Sequence, residues 1–200
     1  MTVPLTDPIS LVVDDRARAR AAGDPFADLC VLATAGSSGG TPGVRPIVLR
    51  DVGPQGIGLL ISRTSPKWEP LSAGRSELLL LWLTIRRQYR VRGTVAPMPD
   101  AMVERYWDQK VHESRLLDLY YATYGAQSST VASRERFLEG IGALRQRYPT
   151  PEAVPRPELL RGVYLVPDRI EVWRGSPDRL HDRRRFVLES AVWREETLVP

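Results

Sequence analysis

Residues 170–183 are the part of the sequence that most limits the fold, because they predict a β-hairpin with an unusual set of side chains. The first residues alternate apolar and polar side chains, which is typical of a half-buried strand. A Gly-Ser-Pro-Asp turn follows, and the chain then alternates again, so we expect Arg179, His181 and Arg183 on one face of the return strand. With Trp173 across the hairpin, this face favours a flat, anionic ligand, although a solvated edge strand of a basic protein carries arginines too.

The rest of the chain predicts further short strands. Apolar or alternating runs, several joined by Gly-rich turns such as the one at 36–40, occupy residues 29–35, 44–52, 57–62, 77–84, 87–96, 162–173, 182–189 and 191–199, with a break at 167–168. Helices are expected at residues 7–22, on the surface, at 65–74, after Asp100 and at 134–148. We therefore predict a single, mainly β domain over residues 1–200, an antiparallel barrel with flanking helices, in which residues 1–24 form an N-terminal helical or extended segment.

Composition excludes several classes of protein. The longest apolar run, residues 78–83, is far too short to span a bilayer. A single cysteine, Cys30, excludes an intrachain disulfide and a cysteine-based zinc site, and its apolar neighbours predict burial. Residues 1–22 contain no apolar targeting segment, so we expect a cytoplasmic protein. The net charge of +4 suits anionic ligands, and the scattered arginines show no nucleic-acid-binding pattern, so we expect no nucleic-acid, membrane or metal partner.

Two basic segments are candidate anion sites. Arg45 and Arg50 flank an apolar stretch, and on one regular strand they point to opposite faces unless a bulge intervenes, which suits two separate anions. Ser65-Pro66-Lys67 predicts a helix that begins with Ser as N-cap and Pro at the first position, where backbone N–H groups and Lys67 together favour a phosphate.

A third candidate lies in the helix expected after Asp100. Tyr106, Lys110 and Ser114 have the i, i+4, i+8 spacing that places side chains on one helical face. A phenol, an ammonium and a hydroxyl in one row would donate hydrogen bonds to a phosphate at different heights. A polar, solvent-facing helix surface explains the same pattern equally well. Val103, Trp107 and Val111 have the same spacing and are expected to face the core.

The order Glu-x-Trp, five residues, Arg-Leu-His-x-Arg in residues 171–183 resembles the C-terminal signature of the pyridoxine/pyridoxamine 5′-phosphate oxidase family. Further similar segments appear in the same order along the chain: Arg45 to Arg50, Ser65-Pro-Lys67, Arg87-Gln88 and Gln127-Ser128-Ser129. The resemblance covers about residues 29–200. It implies an antiparallel, FMN-binding split β-barrel that forms a homodimer with two sites across the interface.

The resemblance also implies a role for each matching residue. It implies FMN contacts from Arg45, Pro46, Ile47, Val48, Leu49, Arg50, Leu60, Ile61, Pro66, Lys67, Gln88, Gln127, Ser128, Trp173 and Arg183, with the Gln-Ser-Ser segment reaching the flavin phosphate from the partner subunit. It implies substrate contacts from Arg50, Tyr106, Lys110, Ser114, Arg179, Leu180 and His181. Arg179 and His181 are the expected catalytic residues, and histidine suits proton handling because its charge changes near neutral pH.

Several positions depart from the family pattern. Arg50 stands where the family has Lys, and Lys110 where it has Arg, so total charge is preserved although a planar fork and a point charge are exchanged. Pro66 replaces a cationic side chain, and Leu60-Ile61 replaces a more polar pair. Residues 115–126 form a longer segment than usual.

The resemblance implies oxidation of pyridoxine or pyridoxamine 5′-phosphate to pyridoxal 5′-phosphate with O2 as acceptor. Three alternatives remain open. The first is a related FMN-dependent oxidase of the phenazine-biosynthesis type, which acts on a reduced aromatic acid. The second is a non-catalytic flavin or haem binder, which Pro66 and Leu60-Ile61 favour, and the third is a basic nucleic-acid-binding module.

Overall fold

A computed structural model describes residues 7–36 and 40–200 of the chain. In chain order these contain α1 (Pro8–Ala21), β1 (Leu29–Thr34), β2 (Gly43–Val48), β3 (Asp51–Gly53), β4 (Gly56–Ser62), α2 (Trp68–Ser72), β5 (Ser76–Trp82), β6 (Arg87–Pro97), α3 (Asp100–Asp108), α4 (His112–Thr123), α5 (Arg134–Arg147), a short 3-10 helix (Pro151–Ala153), β7 (Leu160–Arg174), β8 (Asp182–Glu189) and β9 (Val192–Leu198). The start of the predicted N-terminal segment and residues 37–39 of the predicted Gly-rich turn lie outside the described residues.

The nine strands of the described residues form one sheet. Its main path runs β2-β1-β5-β6-β7-β4-β3, while β8 pairs with both β7 and β9. The pairs β1–β2, β1–β5, β3–β4, β5–β6, β7–β8 and β8–β9 are antiparallel. The prediction of a mainly β, antiparallel chain is therefore confirmed.

The chain divides into two compact units. The strand-rich unit comprises Met1–Leu59, Glu69–Ala96 and Tyr164–Pro200, and the helical unit comprises Leu60–Trp68 and Pro97–Val163. Fully buried side chains of the strand-rich unit include Leu32, Leu78, Leu80, Val91, Ile170 and Phe186. The core of the helical unit is formed by Trp107, Leu116, Leu144, Val154 and Leu160.

The single strand predicted at residues 44–52 is wrong, because the chain forms two strands there. β2 ends at Val48 and β3 begins at Asp51. The backbone N–H groups of Leu49 and Arg50 donate to Asp28 O at 3.0 Å and Gly58 O at 2.9 Å instead of continuing one ladder. The argument that Arg45 and Arg50 lie on opposite faces of one strand therefore does not apply.

The break predicted at residues 167–168 is also wrong, since β7 continues through Pro167. Gly93 of β6 explains how this proline is accommodated. A Cβ atom at Gly93 would lie 1.9 Å from Val166 O and 2.8 Å from Pro167 Cα. The missing side chain thus lets β6 approach the β7 backbone closely.

Helix α1 begins as predicted, with Asp7 Oδ1 accepting from the Ile9 N–H at 3.1 Å and proline in its first turn. It is not a surface helix, however, because one face buries charged side chains. Arg16 is 7% exposed and donates to Leu49 O at 2.9 Å. Asp15 accepts from the Tyr89 hydroxyl at 2.6 Å. Burial and the adjacent Asp15 carboxylate raise the pKa of Tyr89, so the phenol stays a donor to that carboxylate.

Helix α5 confirms the predicted segment, with Ser133 as its N-cap. Ile141 and Leu144 are buried, whereas Leu138 is 47% exposed. Cys30 is 2% exposed. Burial raises the pKa of its thiol to about 12.

Candidate active site

The β7–β8 hairpin exists, but its return strand begins later than the sequence predicts. β8 starts at Asp182, and Trp173 pairs with Arg183. Arg179, Leu180 and His181 lie in the connecting loop, where Arg179 has a φ of 67° and Leu180 is 75% exposed. The prediction that Arg179, His181 and Arg183 share one strand face is therefore wrong, because alternation requires a continuous extended chain.

The loop nevertheless brings His181 against Trp173. Their ring centroids are 4.7 Å apart and the planes are tilted by 53°. The Ser176 backbone N–H donates to His181 Nδ1 at 3.0 Å. A neutral imidazole that accepts at Nδ1 carries its proton on Nε2, so the backbone presents Nε2–H as a hydrogen-bond donor.

Arg183 is held by a carboxylate that the sequence reading did not assign. Its Nη2 donates to Glu171 Oε1 at 2.7 Å, and its Nη1 donates to Val199 O at 2.9 Å. Glu171 is 6% exposed and also lies 3.5 Å from Arg90 Nη1. The Glu-x-Trp motif contains Glu171, so the sequence carries a signal for this residue.

Gln88 and Arg90 of β6 line a cavity of about 350 Å³ in the strand-rich unit. Its apolar walls include Val31, Val44 and Leu79. The cavity therefore has apolar walls and an amide that can both donate and accept hydrogen bonds.

The arginine-containing segment of β2 also lies in the strand-rich unit. Arg45 Nη1 donates to Thr34 Oγ1 at 2.7 Å. Along the rest of the segment, Pro46 and Val48 are exposed, Ile47 and Arg50 are half-buried, and Leu49 is 2% exposed.

In the helical unit, Lys67 is the residue directly before helix α2. α2 begins at Trp68, and Ser65, Pro66 and Lys67 form a turn before it, so the predicted N-cap is wrong. Lys67 is 9% exposed, and its Nζ donates to Ser65 Oγ at 2.6 Å and to Gln127 Oε1 at 2.7 Å. The fold thus brings two predicted FMN contacts, Lys67 and Gln127, together within a single chain.

For the other predicted FMN contacts of the helical unit, the described part of the chain shows no side-chain hydrogen bond. Leu60 packs against the helical core, and Ile61 is 2% exposed. Pro66 is exposed, and Ser128 is exposed with a φ of 70°. Non-glycine residues with positive φ occur in tight or strained loops, so the Gln127-Ser128 segment is a loop of special backbone geometry.

Tyr106, Lys110 and Ser114 do not lie on one helix, and this prediction is wrong. α3 ends at Asp108 and α4 begins at His112, so Lys110 lies in the turn between them. Tyr106 is 7% exposed, while Val111, expected in the core, is 68% exposed. α3 also has no side-chain cap, because its N-cap position is Pro99 and Asp100 is already helical.

Arg115 supplies the physical reason for the helix break. Arg115 is 5% exposed. Its guanidinium donates to Asp108 O at 2.8 Å, to Lys110 O at 3.2 Å and to Pro151 O at 2.8 Å. It therefore satisfies carbonyl groups at the end of α3 that would otherwise need intrahelical partners. Lys110 Nζ forms an ion pair with Asp118 of α4, a residue that the sequence reading missed.

Residues 7–36 and 40–200 contain no group of three or more His, Cys, Asp and Glu side chains arranged to hold a metal ion. Among the helices described, none combines the length and apolar character needed to cross a membrane.

The chain is similar to proteins of known name over nearly its whole length. A model of the pyridoxine 5′-phosphate oxidase C-terminal dimerisation region matches residues 161–200. The pyridoxine/pyridoxamine 5′-phosphate oxidase of Erythrobacter litoralis is 36% identical, covering 99% of this chain and 93% of the relative. The protein of the same name from Anaeromyxobacter dehalogenans is 34% identical, covering 97% and 96%.

A solved structure agrees with these relatives. PhzG from Burkholderia lata in complex with tetrahydrophenazine-1-carboxylic acid superposes with a TM-score of 0.85 at 26% identity, covering 98% of this chain and 94% of PhzG. The fold is that of the mainly β, FMN-binding split β-barrels. The chain belongs to the pyridoxine/pyridoxamine 5′-phosphate oxidase family.

Proposed function

We propose that this protein is an FMN-dependent oxidase that converts pyridoxine 5′-phosphate or pyridoxamine 5′-phosphate to pyridoxal 5′-phosphate, with O2 as electron acceptor. Relatives that bear the name of this activity match at 36% and 34% identity across almost the whole chain. The observation that carries the proposal is the orientation of His181, whose ring lies against Trp173 and whose Nδ1 accepts from the Ser176 N–H.

The residues present fit a flavin. The cavity that Gln88 and Arg90 line has apolar walls for a flat ring and polar groups for its edge. In the helical unit, the Lys67 ammonium with Ser65 and Gln127 is a donor set that suits a phosphate. Arg45 and Arg183 add guanidinium groups, and we assign both to FMN as well.

The redox chemistry would be supplied by a bound FMN, as acceptor of a hydride equivalent from the substrate and donor of the electrons to O2. The protein's own contribution is binding and orientation. His181 Nε2–H donates to an acceptor on the substrate ring, because Ser176 occupies Nδ1. Arg179, in a backbone conformation that non-glycine residues rarely adopt, is assigned to the substrate as well, together with Leu180, Arg50, Tyr106, Lys110 and Ser114.

We also propose a homodimer. The match of residues 161–200 to a dimerisation region supports it, and so do Val44 and Val48 of β2, which are 67% and 45% exposed. Light scattering of the purified protein tests this proposal, since a monomer at micromolar concentration would contradict it. A cytoplasmic location remains a prediction from the sequence.

The test of the function is a spectrum and an assay of the purified protein. We expect the protein to be yellow. With pyridoxine 5′-phosphate under air, it should form pyridoxal 5′-phosphate, which is measured by its absorbance. His181→Gln should lower kcat/KM by about a hundredfold, since it removes a positioned proton donor. His112→Gln is the matched control, because it changes the other histidine, whose Nε2 contacts Tyr148 O, and should have little effect. A protein that acquires no flavin spectrum on addition of FMN would contradict the proposal and favour a non-catalytic haem binder or a chain that has lost its ligand.

One observation favours a second candidate, an oxidase acting on a reduced aromatic carboxylic acid. Lys110, assigned to the substrate phosphate, is already paired with Asp118. The similar structure of PhzG contains tetrahydrophenazine-1-carboxylic acid. Turnover of such an acid without turnover of pyridoxine 5′-phosphate would select this candidate.

A further inference from the structure

The Lys110–Asp118 ion pair is the most enclosed cation site in the part of the helical unit assigned to substrate. The Lys110 side chain is 8% exposed and the Asp118 side chain 14% exposed. Lys110 lies in the turn between α3 and α4, and Asp118 lies on α4. A buried ammonium and carboxylate in contact have a net charge of zero, so the pair attracts an incoming anion less than Lys110 alone would.

The surroundings keep Lys110 near Asp118. Arg115 Nε donates to Lys110 O at 3.2 Å and so holds the backbone of the turn. Lys110 Nζ lies 5.9 Å from the centroid of the Trp107 ring, whose residue is 2% exposed. The Lys110 ammonium therefore lies between a turn held by Arg115 and the indole ring of Trp107. An anionic ligand that contacts this ammonium would also lie close to the Asp118 carboxylate.

The same face of α4 is also linked, through Gln127, to Lys67, the other lysine of this unit that we assign to a ligand. Tyr121 follows Asp118 by three residues, which places both side chains on one helical face. Burial raises the pKa of Tyr121, a hydrogen bond with Gln127 opposes this shift, and the Asp118 charge adds to it. Gln127 Oε1 in turn accepts from Lys67 Nζ at 2.7 Å. α4 thus supplies the partner of Lys110 directly, and it is linked to Lys67 through Gln127.

We propose that Asp118 is a specificity-determining residue that weakens the preference of the site for a doubly charged over a singly charged anionic group at Lys110. The inference rests on the proposed function, in which Lys110 faces the substrate. A phosphate monoester carries close to two negative charges at neutral pH, so its repulsion by Asp118 is nearly twice that of a carboxylate or a sulfate ester. Lys110 attracts both groups, but the opposing carboxylate removes most of the advantage of the second charge.

The expected size of the effect follows from one unit charge at a short distance. At about 6 Å and an effective dielectric constant of about 20, removal of the Asp118 charge changes the affinity for a second negative charge by roughly tenfold to a hundredfold. This difference is large enough to measure as a ratio of two dissociation constants.

The experiment compares two esters that differ in charge and share one ring. Pyridoxine 5′-phosphate is the dianion, and pyridoxine 5′-sulfate is a monoanion of the same shape. Dissociation constants for both are measured by calorimetry in the absence of O2 on wild-type protein and on Asp118→Asn, each loaded with reduced FMN, which cannot oxidise either ester. We expect the variant to bind the phosphate ester at least tenfold better relative to the sulfate ester than the wild type does.

Two further variants control for structural effects. Asp118→Glu keeps the charge and should keep the wild-type ratio, and Asp118→Ser is a second neutral variant should Asp118→Asn fail to fold. The Asp108 side chain is 66% exposed, and its carboxylate lies 3.8 Å from the Arg115 guanidinium. Asp108→Asn removes this charge and should leave the ratio of the two dissociation constants unchanged.

The outcomes separate this inference from the proposed function. An unchanged ratio in both neutral variants, or equal loss of both esters, overturns the role of Asp118 even if the protein oxidises pyridoxine 5′-phosphate. A shifted ratio without turnover overturns the oxidation proposal and leaves the role of Asp118 supported. Failure of both esters to bind to any variant overturns both.

Discussion

Glu171 in the strand-rich unit and Asp118 in the helical unit both neutralise a cation that we assign to a ligand, but their cations differ. Glu171 contacts Arg183, whose side chain is 28% exposed, while Asp118 contacts Lys110, whose side chain is 8% exposed. A guanidinium has several N–H groups in a fixed plane, so Arg183 can hold Glu171 and Val199 O and still donate to a ligand. An ammonium is a point charge, and its partner cancels most of its attraction for a second anion. Glu171 therefore orients Arg183 in the strand-rich unit, whereas Asp118 offsets the attraction of Lys110 for anions in the helical unit.

The largest expected effect tests the enclosed pair. Lys110→Met removes the cation that the buried Asp118 carboxylate contacts and should lower the free energy of unfolding by about 3 kcal/mol. The double variant Lys110→Met/Asp118→Leu should recover more than half of this loss, because no buried charge remains. Urea denaturation measures both. Glu104→Gln, in an ion pair with the Arg156 side chain at the surface, should change stability by less than about 1 kcal/mol. Equal losses in the single and double variants would contradict the comparison.

The pair in the strand-rich unit should respond less strongly. Glu171→Gln keeps the shape of the side chain but removes the charge between Arg183 and Arg90, and we expect a loss of about 2 kcal/mol because both arginines retain contact with water. Glu195→Gln, which changes the partner of Arg184, is the control and should cost less than about 1 kcal/mol. A loss for Glu171→Gln no larger than that of the control would show that its burial is unimportant.

Arg183→Lys separates orientation from charge. The substitution keeps the positive charge but removes the planar fork that contacts Glu171 and Val199 O. We expect FMN affinity to fall by about tenfold, measured by quenching of flavin fluorescence. Arg194→Lys, at an exposed position of β9, should leave the affinity unchanged. Wild-type affinity in Arg183→Lys would mean that charge alone suffices at this position.

The smallest expected effect is a pH dependence in the strand-rich unit. Burial tends to raise the pKa of Glu77, but hydrogen bonds from Arg90 and Arg92 outweigh it and hold the pKa below its ordinary value of 4.5. The stabilisation is therefore present above pH 4.5 and is lost as the pH falls through the lower, folded-state pKa. Glu77→Gln should flatten the fall in stability below pH 4.5, by less than about 1 kcal/mol. Thermal unfolding between pH 3 and 7 measures it, and identical profiles for variant and wild type would contradict it.

The strands could be predicted from the sequence because alternation is a local property. β4, β5 and β6 lie close to their predicted bounds. β8 spans residues 182–189, although the hairpin pattern predicts that its strand begins at Arg179. The family could also be predicted, since the order of short motifs survives changes at single positions.

The local arrangement at the site could not be predicted in the same way. The spacing of Tyr106, Lys110 and Ser114 fits a continuous helix, and no proline or glycine marks the break. The turn depends on Arg115, which caps α3 from the next helix, and such a contact leaves no periodic pattern in the sequence. Likewise, the alternation of Arg179 and His181 suggested a strand, although Arg179 adopts a left-handed backbone conformation.

The close approach of β6 and β7 at Gly93 limits how this sequence can diverge. Outward-facing residues of both strands can change during evolution at little cost, but any side chain at position 93 would collide with the Val166 carbonyl and part the two strands. Gln88 lies on one of these strands and Trp173 on the other. A substitution at Gly93 would therefore displace Gln88 and Trp173, two residues that we assign to FMN, relative to each other. We expect selection against side chains at this position for that geometric reason.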